Sequence, residues 1–469
     1  MKKISIIIML VLTGMLAQAQ TSVWDGSRKM WNRGAGTQDD PILIESAENL
    51  AFLAYMVGKG YDTQGLYFKL TTDIDLNGSE QQQWIPIGLS NEAYFEDGCP
   101  RNTLPTCVGG QDVSFKGHFD GGDHSISNIY VDKEEGVAGL FGVLGATEGD
   151  PTVVENVYVA SGFIRGTSAG GIMGSRYSQT GSEVLISRCW NGAEVHGKYV
   201  GGIVGNTGDK IRNCYNVGAV NGASAAGGIV GSSANEVTEC YNEGEVAGGS
   251  FTGGIVGGSV RGSVLIDNCY NTGSVSSTGA NAPSTLPGNI VGGIAGFLLI
   301  GESTVSNCYN VGPVSSEVLE AGGLVGSLGN NGAAVNAYYL NTCGGAGQGE
   351  SKSAEEMRDL SFVGVLNNGN NVWCADTLNV NDGYPILGAN NLAVDEYASS
   401  QLKVYPNPNQ GHFVVEGTGM LTVFNVLGQT VLTQEVKDQT LMELPKGMFF
   451  IRLEHNSKTS IQKVVVSEN

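Results

Sequence analysis

The chain has 469 residues, of which 71 are glycine, and a formal net charge of −21. Charged residues make up 15% of it against about 25% in an ordinary soluble protein, and glycine stands at about twice its usual share. A surface this acidic repels nucleic acid and anionic lipid, so neither is expected as a partner.

The first 19 residues read as a signal peptide. Lys2 and Lys3 precede the apolar run Ile4 to Leu16, and Ala17-Gln18-Ala19 is a small-x-small cleavage site. No later stretch is long and apolar enough for a membrane helix, so the mature chain, starting near Gln20, is expected to have no transmembrane segment. Residues 20–114 read as an N-terminal cap and first coils. Pro41 to Ile44 suits a strand, and Ser46 suits the N-cap of a helix reaching Val57. The helix carries Glu48 in its first turn and Leu50, Leu53, Ala54 and Val57 on one apolar face. Asp73-Ile74-Asp75-Leu76-Asn77-Gly78 opens like a calcium loop, but Trp84 stands where the twelfth-position acid belongs and Glu80 where an aliphatic belongs. It reads better as a strand ending in an Asn-Gly turn. Cys99 and Cys107 in a Pro-rich loop are a candidate disulfide.

Residues 115–345 repeat one pattern, I/V-x-x-φ-aromatic-x, where φ is mostly small and apolar. It is found at Ile126–Val131, Val154–Val159, Ile186–Asn191, Ile211–Asn216, Val237–Asn242, Ile266–Asn271, Val305–Asn310 and Val335–Leu340. The aromatic place holds Tyr130, Tyr158, Trp190, Tyr215, Tyr241, Tyr270, Tyr309 and Tyr339, and five units place Cys189, Cys214, Cys240, Cys269 or Cys308 just before it. A second motif, G-G-I/L-x-G, interleaves from Gly170, Gly201, Gly227, Gly253, Gly292 and Gly322. Periods from 25 residues (Ile186 to Ile211) to 39 (Ile266 to Val305) mean a solenoid of stacked coils. Period-two alternation places positions four and six inward and the aromatic outward, the reverse facing being the alternative. The sixth-position asparagines then form an internal amide ladder. In-register cysteines on strands about 4.8 Å apart do not meet disulfide geometry, so these five are expected as buried free thiols. Cys343 and Cys374 are a weaker candidate pair. The excess of the longest coil, Ser277 to Asn289, holds Pro283 and Pro287 and reads as a loop.

An outward aromatic strip has two uses. Its rings stabilise the stack, or they touch a glycan or protein ligand, for which Trp190, Tyr215, Tyr241, Tyr270 and Tyr309 are the candidates. Asp120-Gly121-Gly122-Asp123-His124 sits where β-helical polysaccharide-degrading enzymes begin a coil. A glycosidase needs two carboxylates about 5.5 or about 6.5–9.5 Å apart across one groove. No acidic pair recurs on one face, and the segment reads as a corner. Neither His-Glu-x-x-His nor a convincing Gly-x-Ser-x-Gly elbow occurs, so no catalytic residue, metal site or cofactor is expected.

Residues 346–390 read as the C-terminal cap. A helix over Ser353 to Leu360, opened by a Ser353/Glu356 capping box, is expected to close the solenoid's end with Trp373 and Tyr384 beneath it. After a linker, 391–397, glycine thins out over 398–469 and short alternating strands with turn residues predict a small β-sandwich.

The repeat resembles the GLUG motif of large bacterial surface proteins, over roughly Ala138 to Asn341. That resemblance implies a right-handed parallel β-helix and a surface role. The last 70 or so residues resemble the C-terminal sorting domain of the type IX secretion system of Bacteroidetes. The matching elements are Val404-Tyr405-Pro406-Asn407-Pro408, Asn425-Val426-Leu427-Gly428-Gln429, Leu444-Pro445-Lys446-Gly447-Met448-Phe449-Phe450 and Lys463-Val464-Val465-Val466. This implies sorting-signal roles for Pro406, Asn407, Pro408, Gly428, Gly447 and Lys463. It also implies passage through the type IX machinery, removal of the domain, and release or attachment to surface polysaccharide. The expectation is therefore an all-β protein, a secreted or surface-displayed, adhesin-like binding protein and not an enzyme. A carbohydrate-active enzyme on the same scaffold and a passive surface or matrix component are the alternatives.

Overall fold

One left-handed residue turns the chain in each repeat unit. Asn156, Arg188, Asn213, Glu239, Asn268 and Asn307 at position three, and Asn336 at position two of the last unit, have φ between 50° and 56°. Asparagine tolerates this conformation best among non-glycine residues, and it fills five of the seven places. The bend lets positions one, four and six all face inward although one and four are an odd number apart. Thus Ile211, Cys214 and Asn216 are fully buried while Tyr215 points out.

The computed structural model describes residues 21–89, 107–108, 111–176, 183–206, 210–259, 262–279, 290–299, 301–317, 321–345, 348–377, 379–388, 402–405, 411–425, 430–437, 439–455 and 458–466. The expected signal peptide, Cys99 and with it the Cys99–Cys107 pairing, most of the Ser277–Asn289 loop, Pro406, Asn407, Pro408 and Gly428 lie outside them.

Successive coils build parallel sheets of 19, 10 and 7 strands, the coils from residue 118 to residue 328 contributing to all three, which makes a parallel β-helix. The coil from Lys210 shows the plan. Lys210–Arg212 and Tyr215–Asn216, split by the left-handed Asn213, join the first sheet. Val220–Gly227 joins the second and Val230–Ser232 the third. The interior is one continuous core. Its first column runs Phe68, Phe119, Val154, Ile186, Ile211, Val237, Ile266, Val305, each in register with the next and at most 1% exposed. Burying each such side chain is worth about 1.5–3 kcal/mol.

The N-terminal helix α1, Ala47–Gly58, is capped by Ser46, which accepts the Asn49 amide, and its Leu50, Leu53, Ala54 and Val57 enter the main core. The expected helix after Ser353 is in fact two, α2 (Ala354–Arg358) and α3 (Leu360–Asn367). The chain breaks at Asp359, whose extended backbone and side-chain bond to the Ser361 amide start α3 afresh. The Ser353/Glu356 box is present.

These helices do not close the end of the solenoid. The last coil is followed by Cys343, whose carbonyl accepts from Val314 N, by Gly345 and Gln348, which bridge to Gly322 and Val325, and by the strand Glu350–Lys352, which pairs with Tyr338–Leu340. Helix α3 instead lies along the side of the last coils, where Phe362 meets Tyr309 and Tyr338, and Asn336 Nδ2 donates to Val365 O. The reason is the ring strip itself, whose outward apolar surface is covered by the returning chain.

The C-terminal domain has two antiparallel sheets. One contains Lys403–Tyr405, His412–Glu416 and Gln439–Glu443. The other contains Gly419–Asn425, Thr430–Val436, Gly447–His455 and Lys458–Val466. Both sheets supply its core, with Val404, Phe413 and Val415 from the first and Leu421, Val423, Ile451 and Leu453 from the second. Gly447 opens a strand, and Lys463 pairs with Phe450.

Candidate binding surface

Strand register fixes which rings share a column. Tyr158, Trp190, Tyr215, Tyr241, Tyr270, Tyr309 and Tyr338 follow one another. Two expected members are displaced. Tyr130 pairs with Phe163 in the second sheet, because Asn128 puts the same left-handed bend at the coil's next corner. Tyr339 pairs with Asn310, one place beyond the column, and Tyr338 takes the ring position.

The stack is regular in the middle. Ring centroids lie 5.7 Å apart for Trp190–Tyr215, 4.8 Å for Tyr215–Tyr241 and for Tyr241–Tyr270, and 5.2 Å for Tyr270–Tyr309, with interplanar angles between 1° and 9°. Such pairs are each worth about 0.5–1.5 kcal/mol beyond burial. The strip is not open along its whole length. Tyr270 and Tyr309 are 4% and 0% exposed, in a cluster with Met357, Phe362, Leu366, Trp373, Tyr384 and Leu387. The Trp373 indole donates to Asn268 Oδ1 at 2.9 Å, and the Tyr309 hydroxyl donates to Pro385 O and accepts from Asn381 Nδ2. Of the five candidate contact residues, Trp190, Tyr215 and Tyr241 are therefore partly buried, Tyr241 at the edge of that cluster, whereas Tyr270 and Tyr309 are covered. Burial, with the Glu243 carboxylate adding to it, pushes the Tyr215 phenol up.

Behind the rings stand two buried columns. Asn191, Asn216, Asn242, Asn271 and Asn310 are wholly buried, and each Nδ2 of the first four donates to the next Oδ1 at 2.8–2.9 Å. Each also donates to the backbone carbonyl two residues on. The ladder ends where Asn310 donates to Gly323 O. Cys189, Cys214, Cys240, Cys269 and Cys308 are free and buried. Burial opposes ionisation of all five thiols and holds Cys189, Cys240 and Cys308 well above their ordinary value, whereas at Cys214 and Cys269 hydrogen bonds from the neighbouring thiols and backbone outweigh it and lower them. Cys343 and Cys374 are free too. Cys343 packs with Val275, Val291 and Val314, while Cys374 lies beside Gly388 in the Trp373–Cys374/Ile386–Leu387 ladder, so that candidate pair is not formed.

The N-terminal end of the ring column is polar. Ser125 stands in register before Tyr158, and Asp73 Oδ1 accepts the Ser125 amide and lies 3.3 Å from His124 Nδ1. Tyr158 donates to Asp123 Oδ1 at 2.6 Å. Gly122 and Asp123 have positive φ, which makes the Asp120–His124 segment a corner. Burial opposes the charge of Asp120. Hydrogen bonds from Asn156 and the Gly122 amide, with Lys69 3.0 Å away, more than offset it and hold the carboxyl below its ordinary value. In the calcium-like segment, Asp75 Oδ1 accepts from the Asn77 amide and Asn128 Nδ2. Asp75 thus serves the turn, and Asp73 ties the segment to the next coil at Ser125. Sequence reasoning missed a further outward ring series on the second sheet, Tyr130–Phe163–His196, with Arg165 bidentate on Asp132. The register of Phe163 with Tyr130 is its only signal.

Among the described residues no helix is long and apolar enough to cross a membrane. Residues 196–221 match the model of the GLUG motif, and residues 403–467 match that of the secretion system C-terminal sorting domain. The chain is 29% identical over 164 residues to the "Putative Gly-rich membrane protein" of Evansella cellulosilytica, covering 33% of this chain and 16% of that one. It is 29% identical over 175 residues to Halomucin of Haloquadratum walsbyi, covering 37% of this chain and 2% of that one. The chain thus matches only a small part of either relative. A crystal structure described as a "putative immunoglobulin A1 protease" from Bacteroides ovatus aligns over 76% of this chain and 95% of its own length, at 22% identity and a TM-score of 0.45. By its stacked coils, its C-terminal sandwich and these two matches, the chain is a parallel β-helix protein bearing a GLUG motif and a type IX sorting domain, which directs it to the cell surface or beyond.

Proposed function

We propose that the protein is an adhesin-like binding protein, acting without turnover, whose contact surface is the open part of the ring strip, Trp190, Tyr215 and Tyr241. The observation that carries this reading is the unequal fate of one column. Identical outward rings are buried under the chain's own cap at Tyr270 and Tyr309, border that cap at Tyr241 and are only partly buried at Tyr215. That the chain's own cap packs on the covered rings supports reading the uncovered ones as a contact surface. An exported solenoid gives the strip a rigid support, which suits recognition of a glycan or protein ligand outside the cell.

The test is a glycan and host-protein array probed with residues 20–397, repeated with the Y215S/Y241S variant. Hits lost in the variant while its melt stays cooperative support the reading. Hits that persist place the contact surface elsewhere, and hydrolysis or eliminative cleavage of an arrayed glycan points to the enzyme alternative.

A further inference from the structure

The covered half of the strip shows which chemistry fits it. Tyr270 lies between Tyr241 and Tyr309 at 4.8 and 5.2 Å, nearly parallel to both, so its two faces are occupied. What it offers outward is its rim. Against it stands Trp373, 5.9 Å away and tilted 54°. Phe362 and Tyr338 also meet edge to face, at 5.1 Å and 75°. A ring's rim is electropositive and its face electronegative, so rims seek the face of another aromatic ring. A sugar that stacks its C–H surface needs a free aromatic face, which the middle of this column lacks.

The open half repeats the arrangement. Tyr215 lies between Trp190 and Tyr241 at 5.7 and 4.8 Å, and Tyr241 between Tyr215 and Tyr270 at 4.8 Å each. Asn213, φ 53°, occupies the position of Asn268, φ 51°, but its Nδ2 is held by Glu239. The ring rims alone are thus repeated two coils earlier, continuous with the interface already formed.

We propose that Trp190, Tyr215 and Tyr241 dock a polypeptide segment carrying an exposed Trp or Phe, seated on the ring rims as Trp373 is on Tyr270. This rests on the strip being the contact surface and adds the class of partner, a polypeptide rather than a sugar.

The probe is a synthetic peptide of residues 371–388 of this chain, titrated calorimetrically into the full-length protein. It should bind, and binding should weaken at least about tenfold when Y215S/Y241S replaces the wild type or when the peptide carries Trp373→Ala. The Y215F/Y241F variant keeps the rims and should bind within about twofold of wild type. Absent binding, full-strength binding to a Y215S/Y241S protein with an unchanged melt, or loss in Y215F/Y241F overturns the proposal. Parallel titrations use cellohexaose, xylohexaose and chitohexaose. If one of them binds through Tyr215 and Tyr241, the polypeptide assignment falls and the strip as ligand surface stands. If the peptide, the sugars and the array hits are all indifferent to these rings, both fall.

Discussion

Gly202 lies flat against the side chain of Asn216: a Cβ on Gly202 would stand 2.3 Å from Asn216 Cγ and 2.2 Å from Gly228 O. The same clash would occur between Gly171 and Asn191, Gly228 and Asn242, Gly254 and Asn271, and Gly293 and Asn310. The second glycine of the G-G-I/L-x-G motif is therefore the floor on which the sixth-position asparagine rests. Gly228→Ala should destabilise the β-helix by about 1–3 kcal/mol or more through overpacking against a backbone that cannot retreat. Equilibrium unfolding in urea measures it, and a loss below about 0.5 kcal/mol would show that the coils part easily.

The middle rung of the amide ladder makes a second test. Asn242→Leu removes the donor to Gly244 O and Asn271 Oδ1 and the acceptor for Asn216. Each group left buried without a partner costs about 1–3 kcal/mol. A loss of several kcal/mol is expected from the same urea titration, and a near-neutral result would mean that neighbouring rungs re-pair.

The thiol column predicts a pH dependence. In the unfolded chain cysteine ionises near pH 8.5, whereas burial keeps Cys189, Cys240 and Cys308 protonated in the native state well above that. Above about pH 8.5 the unfolded state then binds fewer protons than the native one, so stability falls as pH rises. The urea midpoint should be lower at pH 9.5 than at pH 8.5, the range in which Cys214 and Cys269, lowered in the native state, add little opposing change. Alkylation without reductant should find the five thiols unreactive in the folded protein and all reactive in denaturant, and five oxidised residues would refute the packing.

Trp373→Ala should loosen the cap. It removes the indole from Tyr270 and Tyr309 and the bond to Asn268. A core Trp→Ala change costs about 3–5 kcal/mol, and here the loss falls mainly on residues 354–388. Limited proteolysis should cut within the cap while the coils survive. Simultaneous digestion of both would show that the cap and coils unfold as one unit.

Removing residues 398–469 should trap the remainder in the periplasm. Protease shaving of intact cells reads the outcome, and undiminished surface exposure of the shortened chain would contradict export by the sorting domain.

The repeat, its facing and the internal amide ladder were legible because inward Cys and Asn and outward rings recur at fixed places. Register was less legible at the ends of the array. Ile126–Val131 spells the same pattern as the ring units, yet its Asn128 bends a different corner, and local spelling does not say which corner. At the last unit, counting from Val335 selects Tyr339, whereas counting from the left-handed Asn336 selects Tyr338. That signal was available, since asparagine at position three marks the bend. The site of the cap was not. Its capping box fixes where α2 begins, but only the apolar strip, a feature assembled from seven distant segments, decides that the cap lies alongside the coils.

The pairing of each glycine with an asparagine also bears on how such an array changes length. Substituting one motif piecemeal leaves an amide without its floor or a floor without its amide. A duplication cut between equivalent glycines, such as Gly202 and Gly228, inherits ring, thiol, amide and glycine together. Whole coils are thus the units of inheritance. Each added copy extends the outward strip by one ring, so the reach of the protein is set by gene recombination before any side chain is altered.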